Sequence, residues 1–242
     1  MFSRRELILG AVAFAIQGCK SSPPPPPAQL PPRRASYEGV EVIEIFPKNA
    51  TEDSPVIVAI HGMGDAPEPW ADTWQRFPKR ARIIIPRAFD RFGPGWSWFE
   101  FKDGMTDEEF GAGVGAAEAR LWKGIAKAAG GKKLIVTGFS QGGILSFAMA
   151  SRHPDEIIKA FPVGGSCPGP LLPKNKSRAA PIVAFHGTAD PILEIKWGRE
   201  AVHAFVEQGN KAELREYEGI GHTITQQIRD DLWGEIQKAM PA

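Results

Sequence analysis

The segment Gly138-Phe139-Ser140-Gln141-Gly142 contains the residues that most clearly indicate chemistry in this sequence. A predicted strand over residues 133–137 precedes it, and a helical pattern follows. In that context, the pattern Gly-x-Ser-x-Gly is typical of a sharp strand-to-helix turn that raises a nucleophilic serine above a sheet. Side chains at positions 138 and 142 would collide with neighbouring backbone in such a turn. We therefore predict Ser140 as a nucleophile.

A serine hydroxyl needs a general base and a carboxylate that orients this base. His222 directly follows the predicted strand 212–217, at the edge of the sheet where Ser140 must also lie. Asp190 lies in the loop after the predicted strand 182–186, which gives the chain order serine, aspartate, histidine that is expected of such turns. We predict His222 as the base and Asp190 as the orienting acid.

A tetrahedral intermediate also needs hydrogen-bond donors that face its oxyanion. The backbone N–H of Gln141 is one candidate because it directly follows the nucleophile. The N–H of Met63, in the glycine-containing loop after the predicted strand 56–60, is the other. If the backbone of Gln141 is the donor, its side chain is expected to matter little. His61 and His186 each lie between a strand and a glycine, so we expect them to shape loops.

An aromatic segment over residues 93–101 follows the end of another predicted strand, where ligands approach such sheets. Trp96, Trp98 and Phe99 are therefore candidates for substrate binding. The same residues could instead pack this loop onto the domain, and the sequence leaves the two alternatives open.

Short apolar patterns alternate with helical patterns from residue 40 onwards. The predicted strands are 40–46, 56–60, 81–85, 133–137, 160–163, 182–186 and 212–217, and the predicted helices are 67–76, 111–129, 142–152, 196–208 and 223–238. This alternation predicts one α/β domain with a mostly parallel central sheet and helices on both faces. Residues 40–46 alternate and suit an edge strand. Thr106 and Glu109 predict a capping box, so the acidic residues 107–109 indicate a helix start and not a metal site.

Residues 1–19 have the pattern of an export signal. Arg4 and Arg5 precede an uncharged stretch over residues 7–16, which is too short to span a bilayer of about 30 Å. Gly18-Cys19 then resembles the cleavage site of a bacterial lipoprotein. We expect residues 1–18 to be a signal peptide and Cys19 to carry lipid, by the Sec or the twin-arginine route.

Residues 19–36 are expected to be a tether, because their proline-rich composition favours extended polyproline II and cannot form a packed core. At about 3.1 Å per residue, the tether would reach roughly 50 Å. The catalytic domain is then predicted over residues 37–242. We expect this domain on the periplasmic side of the cell envelope, anchored to a membrane. Lys20 in place of Asp slightly favours the outer membrane.

Charge and cysteine content exclude several classes of protein. The formal net charge is +1, so nothing favours nucleic acid or another polyanion as a partner. Of the two cysteines, a lipidated Cys19 leaves Cys167 without an internal disulfide partner. The fold must then be stabilised by packing, and Cys167 is interpreted as a small buried residue.

The serine motif, with His61-Gly62-Met63-Gly64-Asp65, Asp190-Pro191 and Gly221-His222, resembles the phospholipase/carboxylesterase branch of the α/β-hydrolase superfamily, which includes acyl-protein thioesterases. The resemblance covers roughly residues 40–238. It implies an α/β-hydrolase fold without a large lid domain, and hydrolysis of small esters, lysophospholipids or acyl thioesters without a metal or an organic cofactor. Met63 replaces the usual leucine, and the export signal differs from many cytosolic relatives.

The leading interpretation is a lipid-anchored serine esterase that forms an acyl-enzyme on Ser140. Three alternatives stay open at this stage. The same triad could serve a feruloyl or acetyl esterase or a polyester depolymerase acting on polymer-linked esters. The domain could be a non-catalytic binding module on the same fold. Alternatively, the proline-rich tether could be the functional part of an envelope protein.

Overall fold

A computed structural model describes residues 30–102 and 104–241 of this chain. The predicted signal peptide, Cys19, Lys20 and most of the tether lie outside the described residues. Within these residues, no helix is both long enough and apolar enough to cross a membrane.

A twisted sheet of eight strands runs through the domain in the order β1-β2-β4-β3-β7-β8-β9-β10. Its strands are β1 (Arg33–Tyr37), β2 (Val40–Ile45), β3 (Val56–Ile60), β4 (Arg82–Pro86), β7 (Leu134–Phe139), β8 (Ile157–Val163), β9 (Ile182–Gly187) and β10 (Ala212–Tyr217), and a separate hairpin consists of β5 (Asp90–Phe92) and β6 (Gly95–Ser97). The six strands from β4 to β10 in this order are parallel, and β2 is antiparallel to both of its neighbours. The predicted mostly parallel sheet is confirmed.

Five helices cover the two faces of the sheet: α1 (Pro67–Trp74), α2 (Asp107–Ala129), α3 (Gln141–Arg152), α4 (Ile195–Glu207) and α5 (Gln226–Ala239). Helices α2, α3 and α4 pack on one face, and α1 and α5 pack on the other. Side chains alternate between the two cores along each strand. In β3, for example, Val56, Val58 and Ile60 point to one face, while Ile57 and Ala59 point to the other. The inner strands β3, β4 and β9 are buried along their whole length, which explains their nearly continuous apolar sequences.

Helix α2 begins where the capping pattern predicts. The side-chain oxygen of Thr106 accepts a hydrogen bond from the N–H of Glu109, and the Glu109 carboxylate accepts one from the N–H of Thr106 at 2.9 Å. The helix ends at Gly130, whose left-handed φ of 62° suits a glycine. The capping box is confirmed.

Two features differ from the sequence-based expectation. β1 begins at Arg33, inside the predicted tether, so residues 33–36 belong to the domain and the boundary at residue 37 is wrong. β1 is consequently the edge strand, and the predicted edge strand, β2, lies second in the sheet. The other difference is the hairpin β5–β6, which forms within a region expected to be a loop.

Candidate active site

Ser140 lies in a strained turn between β7 and α3. Its φ of 56° and ψ of −117° are rarely adopted by residues other than glycine. A Cβ atom at position 138 would overlap the carbonyl oxygen of Gly142, and one at position 142 would overlap the carbonyl oxygen of Ile60. The backbone collision predicted for both positions is confirmed. The Ser140 N–H donates to the carbonyl of Val163 at 3.0 Å, which ties the turn to β8.

Asp190 and His222 form a hydrogen-bonded pair at the carboxyl ends of β9 and β10. His222 Nδ1 lies 2.7 Å from Asp190 Oδ2. Because a carboxylate accepts hydrogen bonds, Nδ1 carries the hydrogen and Nε2 is left to accept a proton. The other carboxylate oxygen of Asp190 accepts hydrogen bonds from the N–H groups of Ile192 and Leu193, both at 2.9 Å. The Asp190 side chain is buried, so its charge is fixed in one orientation.

This pair lies beside the serine turn. The ring of His222 contacts the ring of Phe139, with a centroid separation of 4.7 Å. Gly164 lies under both rings, since a Cβ there would come within 3.2 Å of Phe139 and 3.6 Å of His222. Between Ser140 and His222, both within the described residues, the structure shows no direct hydrogen bond. Catalytic hydrogen bonds are often long in unliganded enzymes and shorten when the substrate binds.

His186 is a buried neighbour of Asp190 that the sequence reasoning assigned only to loop shape. Its Nε2 lies 2.7 Å from the carbonyl oxygen of Leu193 and 3.4 Å from Asp190 Oδ2. Both are acceptors, so Nε2 carries the hydrogen. His186 therefore supports the loop that carries Asp190. The only sequence feature that could have indicated this contact is the position of His186 at the end of a predicted strand, and His61 has the same feature.

The N–H groups of Met63 and Gln141 have no hydrogen-bond partner among the described residues. Gln141 is the first residue of α3, where the N–H has no acceptor within the helix. The loop of Met63 packs against the serine turn, because a Cβ at Gly62 would lie 3.4 Å from the Cβ of Ser140. The arrangement thus places two unpaired donors beside a serine hydroxyl, and it could stabilise a negative charge on a substrate oxygen.

The model of the Phospholipase/Carboxylesterase family matches residues 41–239 of the chain. The chain belongs to this family. It is 25% identical over 209 residues to acyl-protein thioesterase 1 of Kluyveromyces lactis, which covers 76% of this chain and 92% of that relative. It is 27% identical over 207 residues to acyl-protein thioesterase 1 of Eremothecium gossypii, covering 76% and 88%.

Solved structures show the same fold. The structure resembles acyl-protein thioesterase 2 of Zea mays with a TM-score of 0.69 at 21% identity, covering 83% of this chain and 99% of that chain. It also resembles the esterase PE8 with a TM-score of 0.68 at 21% identity, covering 81% and 97%. The predicted α/β-hydrolase fold is confirmed, and the protein is a hydrolase of the phospholipase/carboxylesterase family. Within the described residues, no lid domain separates from the sheet and helices.

The side chain of Gln141 is bonded to the segment around Trp98. Gln141 is only 4% exposed, and its side-chain amide forms three hydrogen bonds, one to the last residue of β6 and two to the segment after it. Oε1 accepts from the N–H of Trp98 at 2.9 Å and from Ser97 Oγ at 3.2 Å, while Nε2 donates to the carbonyl of Phe99 at 2.9 Å. Removal of this side chain would leave buried polar groups unpaired, so the side chain contributes to the local structure. The expectation that it matters little for catalysis stays a prediction.

The aromatic residues proposed to bind substrate are largely core residues. Trp98 is 1% exposed and Phe99 is 5% exposed, and both pack in the core beneath α2 and α3. The ring of Trp96 contacts the guanidinium groups of Arg87 and Arg91, whose Cζ atoms lie 4.1 and 4.0 Å from its centroid. Of the two alternatives for this segment, the structure supports packing, because burying large aromatic rings is strongly favourable.

Two cavities lie on opposite faces of the sheet. The larger, of about 720 Å³, lies between α2 and α4 and is lined by residues that include Phe110, Cys167, Leu172, Leu193 and Trp197. The smaller, of about 280 Å³, lies between α1 and α5, and Gly138 is one of its lining residues.

Burial raises the pKa of the Cys167 thiol, which keeps this residue protonated and unreactive. The part of the chain that the structure describes holds no cluster of three side chains suited to a metal ion.

Proposed function

We propose that this protein is a serine hydrolase that cleaves carboxylic esters or thioesters through an acyl-enzyme on Ser140. The observation that carries the proposal is the 2.7 Å contact between His222 Nδ1 and Asp190 Oδ2 beside the serine turn. This contact leaves His222 Nε2 as the free base. The likeness to acyl-protein thioesterases and esterases supports the same reaction class.

The proposed mechanism needs only groups of the chain and water. Ser140 Oγ attacks the substrate carbonyl carbon while His222 Nε2 takes its proton, and the N–H groups of Met63 and Gln141 bind the resulting oxyanion. Collapse of this intermediate breaks the bond to the alcohol or thiol, which leaves with the proton from His222. His222 Nε2 then takes a proton from water while the water attacks the acyl carbon, the bond from this carbon to Ser140 Oγ breaks and releases the acid, and His222 returns the proton to Ser140 Oγ. No metal or organic cofactor enters any of these steps.

A fluorophosphonate probe tests the proposal and separates it from a non-catalytic binding module. We expect the probe to label the wild-type chain once, and we expect Ser140→Ala to abolish both labelling and ester hydrolysis with an unchanged circular dichroism spectrum. The matched control is Ser146→Ala, a buried serine in α3 whose hydroxyl donates to the carbonyl of Gly142. Residual turnover in Ser140→Ala that equals the wild type would overturn the mechanism.

For the acyl group, we propose the larger cavity as the binding site. Its wall includes Ser166 and Cys167, which lie two and three residues after Gly164 beside His222, and Leu193, whose N–H donates to Asp190. A cavity of about 720 Å³ with mostly apolar walls is within the usual range for sites of small organic ligands.

Filling each cavity in turn tests this assignment with a series of p-nitrophenyl esters from acetyl to palmitoyl. Leu172→Trp should raise KM for the long esters by about tenfold, since roughly two methylenes lose their apolar contacts at about 0.8 kcal/mol each. Acetyl ester hydrolysis should be unchanged. Thr73→Trp fills the smaller cavity and is the matched control. The opposite pattern would place the acyl group between α1 and α5.

Parallel assays with feruloyl, acetyl-polysaccharide and polyester substrates decide whether the natural ester is attached to a polymer.

We also propose that the hydrolase is anchored to the bacterial envelope, on the periplasmic side, through lipid on Cys19. Only the sequence supports this proposal, through the stretch 7–16 and Gly18-Cys19. Stable anchoring requires about two acyl chains. Mass spectrometry of the mature chain should show a diacylated N-terminal cysteine and Cys19→Ser should remove it. An unmodified mature N-terminus would refute the anchor.

A further inference from the structure

We infer that the side chain of Gln141 is a positioning residue for the oxyanion hole, because it connects the serine turn through Trp98 to the loop that carries Met63. The inference rests on the proposed function, in which the N–H groups of Gln141 and Met63 bind the oxyanion. Gln141 would then supply one donor from its backbone and orient the other donor with its side chain.

The first half of the connection joins Gln141 to the segment after β6. Its amide accepts from the N–H of Trp98 and donates to the carbonyl of Phe99, both at 2.9 Å, in a buried environment. The amide group is suited to this role because it has a donor and an acceptor on one planar group. A carboxylate would lack the donor, and an apolar side chain would lack both.

The second half joins Trp98 to the loop of Met63. Trp98 Nε1 donates to the carbonyl of His61 at 2.8 Å, and the two rings are in contact with centroids 5.1 Å apart. His61 Nε2 accepts from the N–H of Ala88 at 3.2 Å, so His61 Nδ1 carries the hydrogen that bonds the carbonyl of Gly62 at 2.7 Å. Burial lowers the pKa of His61, which keeps this imidazole neutral and preserves its accepting nitrogen.

The geometry at Gly62 explains why this connection matters for catalysis. The peptide group between Gly62 and Met63 supplies both the carbonyl that His61 holds and the N–H proposed to bind the oxyanion. Fixing the carbonyl therefore fixes the direction of the N–H on the other side of the same planar unit. Oxyanion stabilisation depends on donors that are oriented before the reaction begins. The hairpin provides additional support through Gly64 and Trp96, so loss of the amide should loosen the loop and not remove it.

Gln141→Met and Trp98→Phe test the two halves of the connection separately. The first keeps the length of the side chain without its hydrogen bonds, and the second keeps a buried aromatic ring but removes the indole N–H together with its five-membered ring. We expect kcat to fall by about 10- to 100-fold in Gln141→Met, since removal of a donor costs about 10²–10³-fold and this donor is only misdirected. KM should change less than about twofold, because the oxyanion forms only in the transition state. Binding of a trifluoromethyl ketone analogue of the substrate should weaken in parallel with kcat.

A matched control separates positioning from general stability. Thr137→Val removes another buried hydrogen bond near the serine turn, from Thr137 Oγ1 to the carbonyl of Phe161 at 2.8 Å. It should lower Tm while leaving kcat and ketone binding unchanged. If Gln141→Met lowers Tm but not kcat, the side chain is structural only and the inference is overturned.

The double variant completes the test. If both residues act through one connection, the loss of kcat in Gln141→Met/Trp98→Phe should be no greater than about the larger single loss, whereas independent effects would multiply. Losses of kcat that multiply in the double variant would overturn the inference.

Should Gln141→Met fail to fold, Trp98→Phe decides alone: an unchanged kcat refutes the connection, and a loss of about fivefold or more at constant KM supports it. Failure of the proposed function is a different result, because the wild-type chain would then neither hydrolyse esters nor react with the fluorophosphonate.

Discussion

At the scale of single residues, the carboxylate of Asp190 is surrounded by two backbone N–H groups and two imidazole rings. Backbone N–H groups bind one oxygen, and His222 and His186 approach the other at 2.7 and 3.4 Å. A buried carboxylate with this many hydrogen bonds is held in one orientation. It therefore determines which nitrogen of His222 carries the hydrogen.

Replacing the Asp190 carboxylate by an amide should impair His222 as a base while leaving substrate binding nearly unchanged. Asp190→Asn should lower kcat by about 10⁴, because the amide can stabilise the tautomer of His222 whose Nε2 is protonated. KM should be nearly unchanged, and initial rates with a short ester give both values. Asp72→Asn, an exposed carboxylate that precedes the serine in the chain, is the control. A loss below tenfold would mean that another acid orients His222.

The sequence predicts some site residues well and others poorly, for physical reasons. Ser140, Asp190 and His222 each follow a strand, and the carboxyl ends of parallel strands meet at one edge of the sheet. The proximity of these residues can therefore be inferred from sequence position alone, without knowledge of side-chain contacts. The side-chain bonds of Gln141 cannot be inferred in this way, because they cross to a segment more than forty residues away whose position depends on packing. For the same reason the sequence leaves open whether Trp98 binds substrate or packs its loop onto the domain, since composition does not reveal which way an aromatic ring in a loop points.

At the scale of elements, β1 is attached to the sheet by a buried charge cluster. Glu44 on β2 accepts hydrogen bonds from Arg33 at 2.9 Å, from Arg82 at 2.8 Å and from Tyr37 at 2.5 Å. Burial disfavours the charged form of Glu44, but the hydrogen bonds from Arg82 and Tyr37 outweigh it, and the pKa of Glu44 lies below its usual value. β1 has a mixed pattern of exposure and lies beside a proline-rich segment, so no apolar periodicity identifies it.

This cluster should make stability depend on pH. Because the folded state lowers the pKa of Glu44, its contribution is present above the usual glutamate value of about 4.3 and is lost as pH falls through the folded value. Glu44→Gln should destabilise the domain by about 3 kcal/mol at pH 7, since Arg82 loses a buried partner. Thermal melts should show a Tm lower by about 6–12 °C, and this difference should shrink at acid pH.

The exposed pair Arg34–Glu68 provides the control for this experiment. Its atoms lie 2.8 Å apart on the surface, where an ion pair contributes little. Glu68→Gln should therefore leave Tm within about 1 °C of the wild type. A difference between Glu44→Gln and wild type that stays constant down to acid pH would show that Glu44 acts by packing and not by charge.

At the scale of the whole molecule, the domain and the N-terminal segment meet at β1. The proline-rich sequence indicates a tether in an extended conformation, and the position of β1 shows that this tether ends before Arg33 and not at residue 36. Arg33 bonds both Glu44 and Glu52, so the chain is fixed to the domain from its first strand onwards. A deletion that is meant to remove only the tether must therefore stop before this strand.

Two deletions that differ by seven residues separate the tether from the domain. Removal of residues 20–29 leaves β1 intact and should change neither Tm nor the kcat/KM for a soluble ester, because the deletion ends before β1 and removes none of the eight strands of the described sheet. Removal of residues 20–36 also deletes most of β1 and the Arg33 guanidinium, and Tm should fall by several degrees because Glu44 loses a partner and the edge of the sheet is exposed. Melting curves and steady-state rates on both variants, each with the same N-terminal residues, provide the comparison. Loss of soluble-ester activity in the shorter deletion would mean that the tether takes part in function, and equal Tm values for the two deletions would mean that β1 contributes no stability.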